Sequence, residues 1–257
     1  MNDLFLKKHI RRFFEDGRVK ELDDVIVQES RILIRLDERD FIHAVCTLSQ
    51  IEEFVIGFLK TRGLIDHVQD LASLEITGSM ISVRRSSRFQ GFFPDLDVLE
   101  TTGTRNIGQE RFARDKGVPL SGFRVASGTI LKGMENLSRM PLYTGSGGTH
   151  CAILFSQEGD PLVAAEDIGR HNAVDKVIGG GMKKDLNFSS CWLAVSGRLP
   201  SDMVMKPLLL GVPLIASVSA PTSEGVLLGE RSGLTVVGFV RGGRLNCYSH
   251  PERIIPN

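Results

Sequence analysis

In the second half of the 257-residue chain, short unbroken apolar runs alternate with stretches of helical spacing, and no other feature limits the fold as much. Residues 151–155, 162–165, 192–195, 214–218 and 234–240 read as strands, and residues 172–178, 202–210 and 222–230 as helices. A strand that is apolar at every position must be covered on both faces. The alternation therefore predicts an α/β fold around a sheet buried on both sides and at least partly parallel. Ile130, Met134 and Leu137 add a helix just ahead of the series.

The first half reads differently. Around residues 25–45 the period is two: Ile32, Ile34 and Leu36 alternate with polar residues, and Asp37-Glu38-Arg39-Asp40 supplies a turn between paired strands. A helix follows, with Ser49 as expected N-cap, Glu52 completing a capping box, and Gly63 as the stop. Ile51, Phe54, Val55, Phe58 and Leu59 form its core stripe. Leu74-Glu75-Ile76 and Ile81-Ser82-Val83 flank Gly78-Ser79 as a hairpin. Residues 1–20 are basic and amphipathic, carrying Lys7, Lys8, Arg11, Arg12, Arg18 and Lys20, and are expected to form one solvated terminal helix. Residues 84–128 are polar and irregular, and residues 105–124 suit a mobile segment near a domain boundary. The expected division is a strand-rich α+β domain over residues 1–125, with that mobile basic segment, and an α/β domain over residues 126–257.

Composition removes whole classes of function. With 31 basic and 31 acidic residues the formal charge is zero, so no net field draws the molecule to nucleic acid. The longest apolar stretch, residues 207–218, contains two prolines and falls short of the roughly 20 residues of a membrane span. The first residues lack the apolar stretch of a secretory signal. Cys46, Cys151, Cys191 and Cys247 form no C-x-x-C pair, which argues against a zinc knuckle or disulfide framework and for reduced thiols in a cytoplasmic protein.

Five polar motifs fall at the ends of the second-half elements: Gly145-Ser146-Gly147-Gly148-Thr149-His150, Glu166-Asp167-Ile168-Gly169-Arg170-His171-Asn172, Ser196-Gly197-Arg198, Ser219-Ala220-Pro221-Thr222, and Phe239-Val240-Arg241-Gly242-Gly243-Arg244. In open α/β sheets that edge binds ligands, and helix N-termini there offer free N–H groups to anions. Arg170, Arg198, Arg241 and Arg244 suit a phosphate-bearing ligand. The alternative is that each pairs with a nearby carboxylate, Glu166, Asp167 or Asp202. His150 and His171 could act as general acid or base, or could simply hold a helix start. Asp175, one turn after His171, could orient its imidazole or form an ordinary surface pair. Glu166 and Asp167 are neighbours in a strand and point to opposite faces, so they form no carboxylate dyad. Cys151 opens an apolar run and reads as a buried, inert thiol. Metal-ligand spacings, the P-loop and the nucleophile elbow are all missing from the sequence.

Thr149-His150, the run EDIGRHNAVDKVIG over residues 166–179, Ser196-Gly197-Arg198, Ser219-Ala220-Pro221-Thr222 and GLTVVGFVRGGRLNCYSHPERI over residues 233–254 closely resemble the FdhD/NarQ family of formate dehydrogenase accessory proteins. Residues 51–63 resemble that family's E-E-L-x-x-G-F-L-x-T-E-G stretch, so the resemblance covers about residues 25–254. It implies a cytidine-deaminase-like α/β fold for the C-terminal domain, without the zinc site, and a homodimer. It also implies binding of molybdenum bis(molybdopterin guanine dinucleotide), or of GDP as a fragment of it. Phe239, Val240, Arg241, Gly242, Gly243 and Arg244 occupy the implied cofactor position, with His150, Arg170, His171 and Arg198 as further contacts. The implied activity is sulfur carriage. A cysteine desulfurase loads a loop cysteine as a persulfide, and the sulfur passes to the molybdenum centre destined for formate dehydrogenase.

This sequence departs from the family at that loop. The family's S-G-C-G-x-C-G is here Ser127-Gly128-Thr129-Ile130-Leu131-Lys132-Gly133, with Thr129 and Lys132 in the two cysteine positions. A threonine hydroxyl cannot carry a sulfane sulfur and is a poor nucleophile near neutral pH. Arg62 replaces a glutamate, and Leu48-Ser49 replaces Thr-Pro. Sulfur carrier and cofactor-binding chaperone without sulfur transfer therefore both stand as readings. A nucleotide-processing enzyme using His150 or His171 would lack metal ligands. Among the four thiols, Cys247, just after a strand end, is the nearest to a substitute carrier.

Overall fold

The chain opens with a ribbon of two antiparallel strands, β1 (Phe5–Phe13) and β2 (Val19–Val27), in register from Phe5↔Val27 to Phe13↔Val19. The ribbon replaces the terminal helix expected from the sequence. The doublets Lys7-Lys8 and Arg11-Arg12 stand four residues apart and imitate a helical face, but their partners lie across the ribbon. His9 Nδ1 is 3.0 Å from Asp23 Oδ1, and Arg11 Nε donates to Glu21 Oε1 at 2.9 Å. The computed structural model describes residues 4–87, 99–101, 118 and 122–257. Most of the expected mobile segment, residues 105–124, lies outside them.

β3 (Ser30–Leu36) and β4 (Arg39–Cys46) form the expected hairpin and turn at Asp37 and Glu38, both at positive φ. After α1 (Ile51–Thr61), the hairpin β5 (Leu71–Thr77) and β6 (Met80–Arg85) joins them, and β7 (Leu99–Thr101) completes a sheet in the order β5-β6-β3-β4-β7. α1 packs Phe54, Val55, Phe58 and Leu59 onto this sheet, which is the stripe read from the sequence. Its start differs from the expected capping box. Gln50 precedes the helix in a left-handed conformation without a side-chain cap, and the Ser49 hydroxyl lies instead against Thr47 Oγ1 and Lys176 Nζ.

The second half comprises β8 (Val125–Ala126), α2 (Ser127–Met134), α3 (Pro141–Ser146), β9 (His150–Ser156), β10 (Pro161–Asp167), α4 (Arg170–Lys183), β11 (Cys191–Val195), α5 (Ser201–Leu209), β12 (Leu214–Ser217), α6 (Ser223–Ser232), β13 (Thr235–Arg241), β14 (Arg244–Cys247) and β15 (Ile254–Ile255). Six strands make one mixed sheet in the order β10-β9-β11-β12-β13-β14, in which β11, β12 and β13 run parallel and the outer pairings are antiparallel. Both faces are buried, as the unbroken apolar runs demanded. One carries Val174 and Val177 of α4 with Met203 and Val204 of α5; the other carries Ile130 and Met134 of α2 with Phe155 and Trp192, whose rings stack at 4.4 Å. The stretch 127–133, a loop position in the resembling family, is α2 itself, which carries Ile130 and Met134 of the expected helix. Among the described residues no helix is long and apolar enough to cross a membrane.

α1 and α4 cross between the two sheets with their backbones in contact. A Cβ on Gly57 would collide with the Asp175 carbonyl, and one on Gly179 with the Glu53 carbonyl, so only glycine permits this approach. Two buried ion pairs flank the crossing: Lys176 Nζ to Asp167 Oδ2 and Lys206 Nζ to Asp175 Oδ1, each at 2.7 Å.

Candidate ligand-binding site

A pocket of about 670 Å³ opens beside α2, where β11, β12 and β13 end and β9 begins. Its polar side is formed by Thr149, His150, Ser196, Arg241, Gly242 and Gly243; its apolar side includes Leu131, Met134, Leu137, Ile168, Val218 and Val240. The shape of the polar side starts in β13. Gly238 pairs with Asn246 and Arg241 with Arg244, so Phe239 and Val240 together oppose Leu245. This bulge, with Phe239 at φ 54°, lets Val240 join the core while Arg241 reaches the rim with its guanidinium 5.5 Å from the Phe239 ring centre. Gly242 and Gly243 then turn the chain at φ 60° and 71°, and a Cβ on either would meet nothing within 4 Å, so their backbone lies bare.

Opposite them, His150 Nδ1 is 3.1 Å from Ser196 Oγ, which also accepts the Cys151 N–H at 3.0 Å. Burial, then the Arg170 guanidinium, holds the His150 pKa below its ordinary value, so the imidazole is neutral near pH 7. Arg170 packs along Gly197, and its buried Nε has no hydrogen-bond partner among the described residues.

The carboxylates weighed as arginine partners are engaged elsewhere. Glu166 accepts the Leu142 and Tyr143 N–H groups at 2.8 and 2.6 Å, fastening the start of α3. Asp167 holds Lys176, accepts the Thr47 N–H at 3.0 Å, and accepts from Asn172 at 2.9 Å. As expected, the two point to opposite faces. Asp175 does not orient His171: it is bound by Lys206 and by the Thr61 hydroxyl at 2.9 Å, and Asp202 stands 3.3 Å from His171 Nε2 instead. Burial, then Lys206, Arg170 and Arg62, pushes the His171 pKa down to about 2. His171 and the exposed Arg198 are not among the pocket-lining residues, and Arg244 sits across the strand pair from Arg241. The pocket thus gathers His150, Val240, Arg241, Gly242 and Gly243 and leaves Arg170, His171, Arg198, Phe239 and Arg244 outside its lining. Leu131, Met134, Glu135 and Ser138, missed in the sequence, line it at helical spacing (i, i+3, i+4, i+7) on a second stripe beside the core stripe of Ile130 and Leu137.

Residues 27–255 match the model of the FdhD/NarQ family. The chain belongs to this family. It is 46% identical, with 99% of this chain and 98% of the relative covered, to a protein of Thermoplasma volcanium named sulfur carrier protein FdhD. A relative of the same name from Methanothermobacter thermautotrophicus is 36% identical, with 97% of this chain and 99% of that protein covered. The solved structure of a protein from Desulfotalea psychrophila, described as a formate dehydrogenase accessory protein, superposes with a TM-score of 0.82 at 27% identity over 98% of this chain and all of that one.

The four thiols of this chain are unfavourably placed for sulfur chemistry. Burial, then Asp167, raises the Cys46 pKa to about 12; burial, then Glu166, raises Cys151 to about 12; burial raises Cys191 to about 11 and also raises Cys247. Thr129 sits in the first turn of α2 with its methyl against the Gly159 turn, and Lys132 is exposed on the same helix.

Proposed function

We propose that this chain is an accessory protein of formate dehydrogenase maturation that binds a guanine-dinucleotide molybdenum cofactor and delivers it without relaying sulfur through a persulfide of its own. One observation carries the reading: Arg241 and the bare backbone of Gly242 and Gly243 face His150 and Ser196 across a pocket large enough for a nucleotide, and the cysteine that lines it, Cys151, has its pKa raised to about 12 by burial, then Glu166. The residues present fit such a group. Arg241 can give charge-assisted hydrogen bonds to a phosphate, and the positive-φ glycines let backbone N–H groups approach it closely. His150, being neutral, offers a hydrogen bond without adding charge, and Leu131, Met134 and Leu137 exclude water from the opposite wall. When bound, the cofactor would supply the redox-active metal that the client enzyme requires.

The names of the relatives favour a second reading, sulfur carriage. Incubation with a cysteine desulfurase and cysteine, followed by intact mass measurement, separates the two. The wild-type mass should stay unchanged, whereas Thr129→Cys with Lys132→Cys should gain about 32 Da per sulfur accepted. A wild-type adduct mapped to Cys247 would restore the sulfur-carrier reading.

A further inference from the structure

The pocket's lining is chemically uneven. Among the described residues that form it, Arg241 is the one guanidinium, Glu135 the one carboxylate and Tyr143 the one aromatic ring. Arg241 comes from the turn between β13 and β14, beside the bare glycines. Glu135 and Tyr143 come from a different stretch of wall, the 3₁₀ turn Glu135–Arg139 that follows α2 and the first turn of α3. Ser138, also on the lining, donates its hydroxyl to the Glu135 carbonyl at 2.8 Å. Because Glu166 accepts the Leu142 and Tyr143 N–H groups, this stretch is fastened to β10 before any ligand arrives.

Nothing in the fold employs Glu135 fully. Its Oε2 accepts from Arg139 Nη2 at 3.1 Å, in an i, i+4 pair whose side chains are both more than half exposed. Such pairs contribute little. Oε1 has no partner among the described residues. A carboxylate accepts hydrogen bonds and never donates them, and it repels phosphate. The part of a ligand that sits at Glu135 must therefore present N–H or O–H groups and carry no negative charge.

We propose that Glu135 reads the base of the bound nucleotide and selects guanine. The proposal rests on the function proposed above and adds which residue makes the choice. Guanine presents N1–H and its N2 amino group side by side, a fork that one carboxylate can accept with both oxygens. Adenine presents the bare N1 lone pair at the same place and meets the carboxylate acceptor to acceptor. Side chains that recognise an isolated base do so on this edge, while aromatic and apolar groups cover its flat faces. Tyr143, Leu131 and Met134 supply that cover here. The two ends of the pocket thus divide the ligand: Arg241 with the glycines takes phosphate, and Glu135 with Tyr143 takes the base.

The test uses the full chain and calorimetry with GDP, IDP and ADP. Inosine keeps N1–H but lacks the N2 amino group. The wild type should bind GDP most tightly, IDP several-fold more weakly, and ADP more weakly than GDP by about tenfold or more. Glu135→Ala should weaken GDP by about tenfold or more, bring GDP and IDP within about twofold of each other, and leave ADP unchanged within about twofold. Arg139→Ala removes only the surface pair and should leave GDP affinity within about twofold. Equal weakening of all three nucleotides by Glu135→Ala would give the carboxylate a ribose contact or a wall role and overturn the inference. So would a wild type that binds GDP and ADP alike, or a Glu135→Ala chain that keeps its preference for GDP. A wild type that binds none of the three would instead remove the underlying function, and this inference with it.

Discussion

Residues 166–179 and residues 239–244 are both rich in charge and glycine, yet the fold treats them in opposite ways. In the first stretch almost every polar group is engaged within the protein: Glu166 at the start of α3, Asp167 with Lys176, Asp175 with Lys206, and Gly179 against α1. In the second, Arg241 and two glycines face open space. The run over residues 166–179 thus fastens the two sheets together, and residues 239–244 are left with capacity for something outside the chain. Engagement by the protein, more than richness in charged residues, distinguishes structural from ligand-facing positions.

The comparison can be broken most sharply at its buried charge. Lys176→Met leaves Asp167 buried and uncompensated, and should cost about 3–5 kcal/mol in urea unfolding. A loss below about 1 kcal/mol would mean the run is not a fastening. Arg241→Ala should do the reverse: each lost charged hydrogen bond removes about 1.5–3 kcal/mol of GDP affinity by calorimetry, while unfolding stability shifts by no more than about 0.5 kcal/mol. Unaltered GDP binding would move the site elsewhere.

Gly179→Ala tests the fastening by volume. With the Glu53 carbonyl in the way, α1 and α4 must separate, and about 1–3 kcal/mol of stability should be lost in thermal melts. The last effect is on pH. His171 is neutral in the fold, with its pKa pushed to about 2, whereas the unfolded chain binds its proton near pH 6.5. Stability contributed by the neutral ring is complete above about pH 6.5 and declines on acidification, by at most about 1.4 kcal/mol per pH unit. His150, also held below its ordinary value, adds to the slope with the same sign. Urea midpoints of His171→Gln that fall as steeply as those of the wild type between pH 6 and 4 would assign the acid sensitivity to other groups.

The sequence displayed the second half well, because strands buried on both faces announce themselves as unbroken apolar runs, and the motifs at their ends fell at one edge as expected. It displayed the β1–β2 ribbon badly. Lys7, Lys8, Arg11 and Arg12 look helical because the pairing that decides their conformation, His9 with Asp23 and Arg11 with Glu21, joins segments that say nothing of each other in isolation. Asp175 and His171 have the right spacing to interact, but Lys206, from another helix, claims the carboxylate. Ser49 and Glu52 have the spacing of a capping box, but Thr47 and Lys176 claim the hydroxyl. Local spacing was defeated wherever a buried charge from a distant element needed the same atom.

The bulge in β13 makes Arg241's location depend on counting. Val237 and Val240 share one core only because Phe239 and Val240 stand together opposite Leu245. A slip of one residue exchanges the two faces of a strand for every position beyond it. Substitutions around the rim alter what the site offers a ligand, whereas loss of a single codon at Phe239 would leave each nearby side chain chemically intact and point it the wrong way. For this rim, insertions and deletions are therefore the more severe class of mutation.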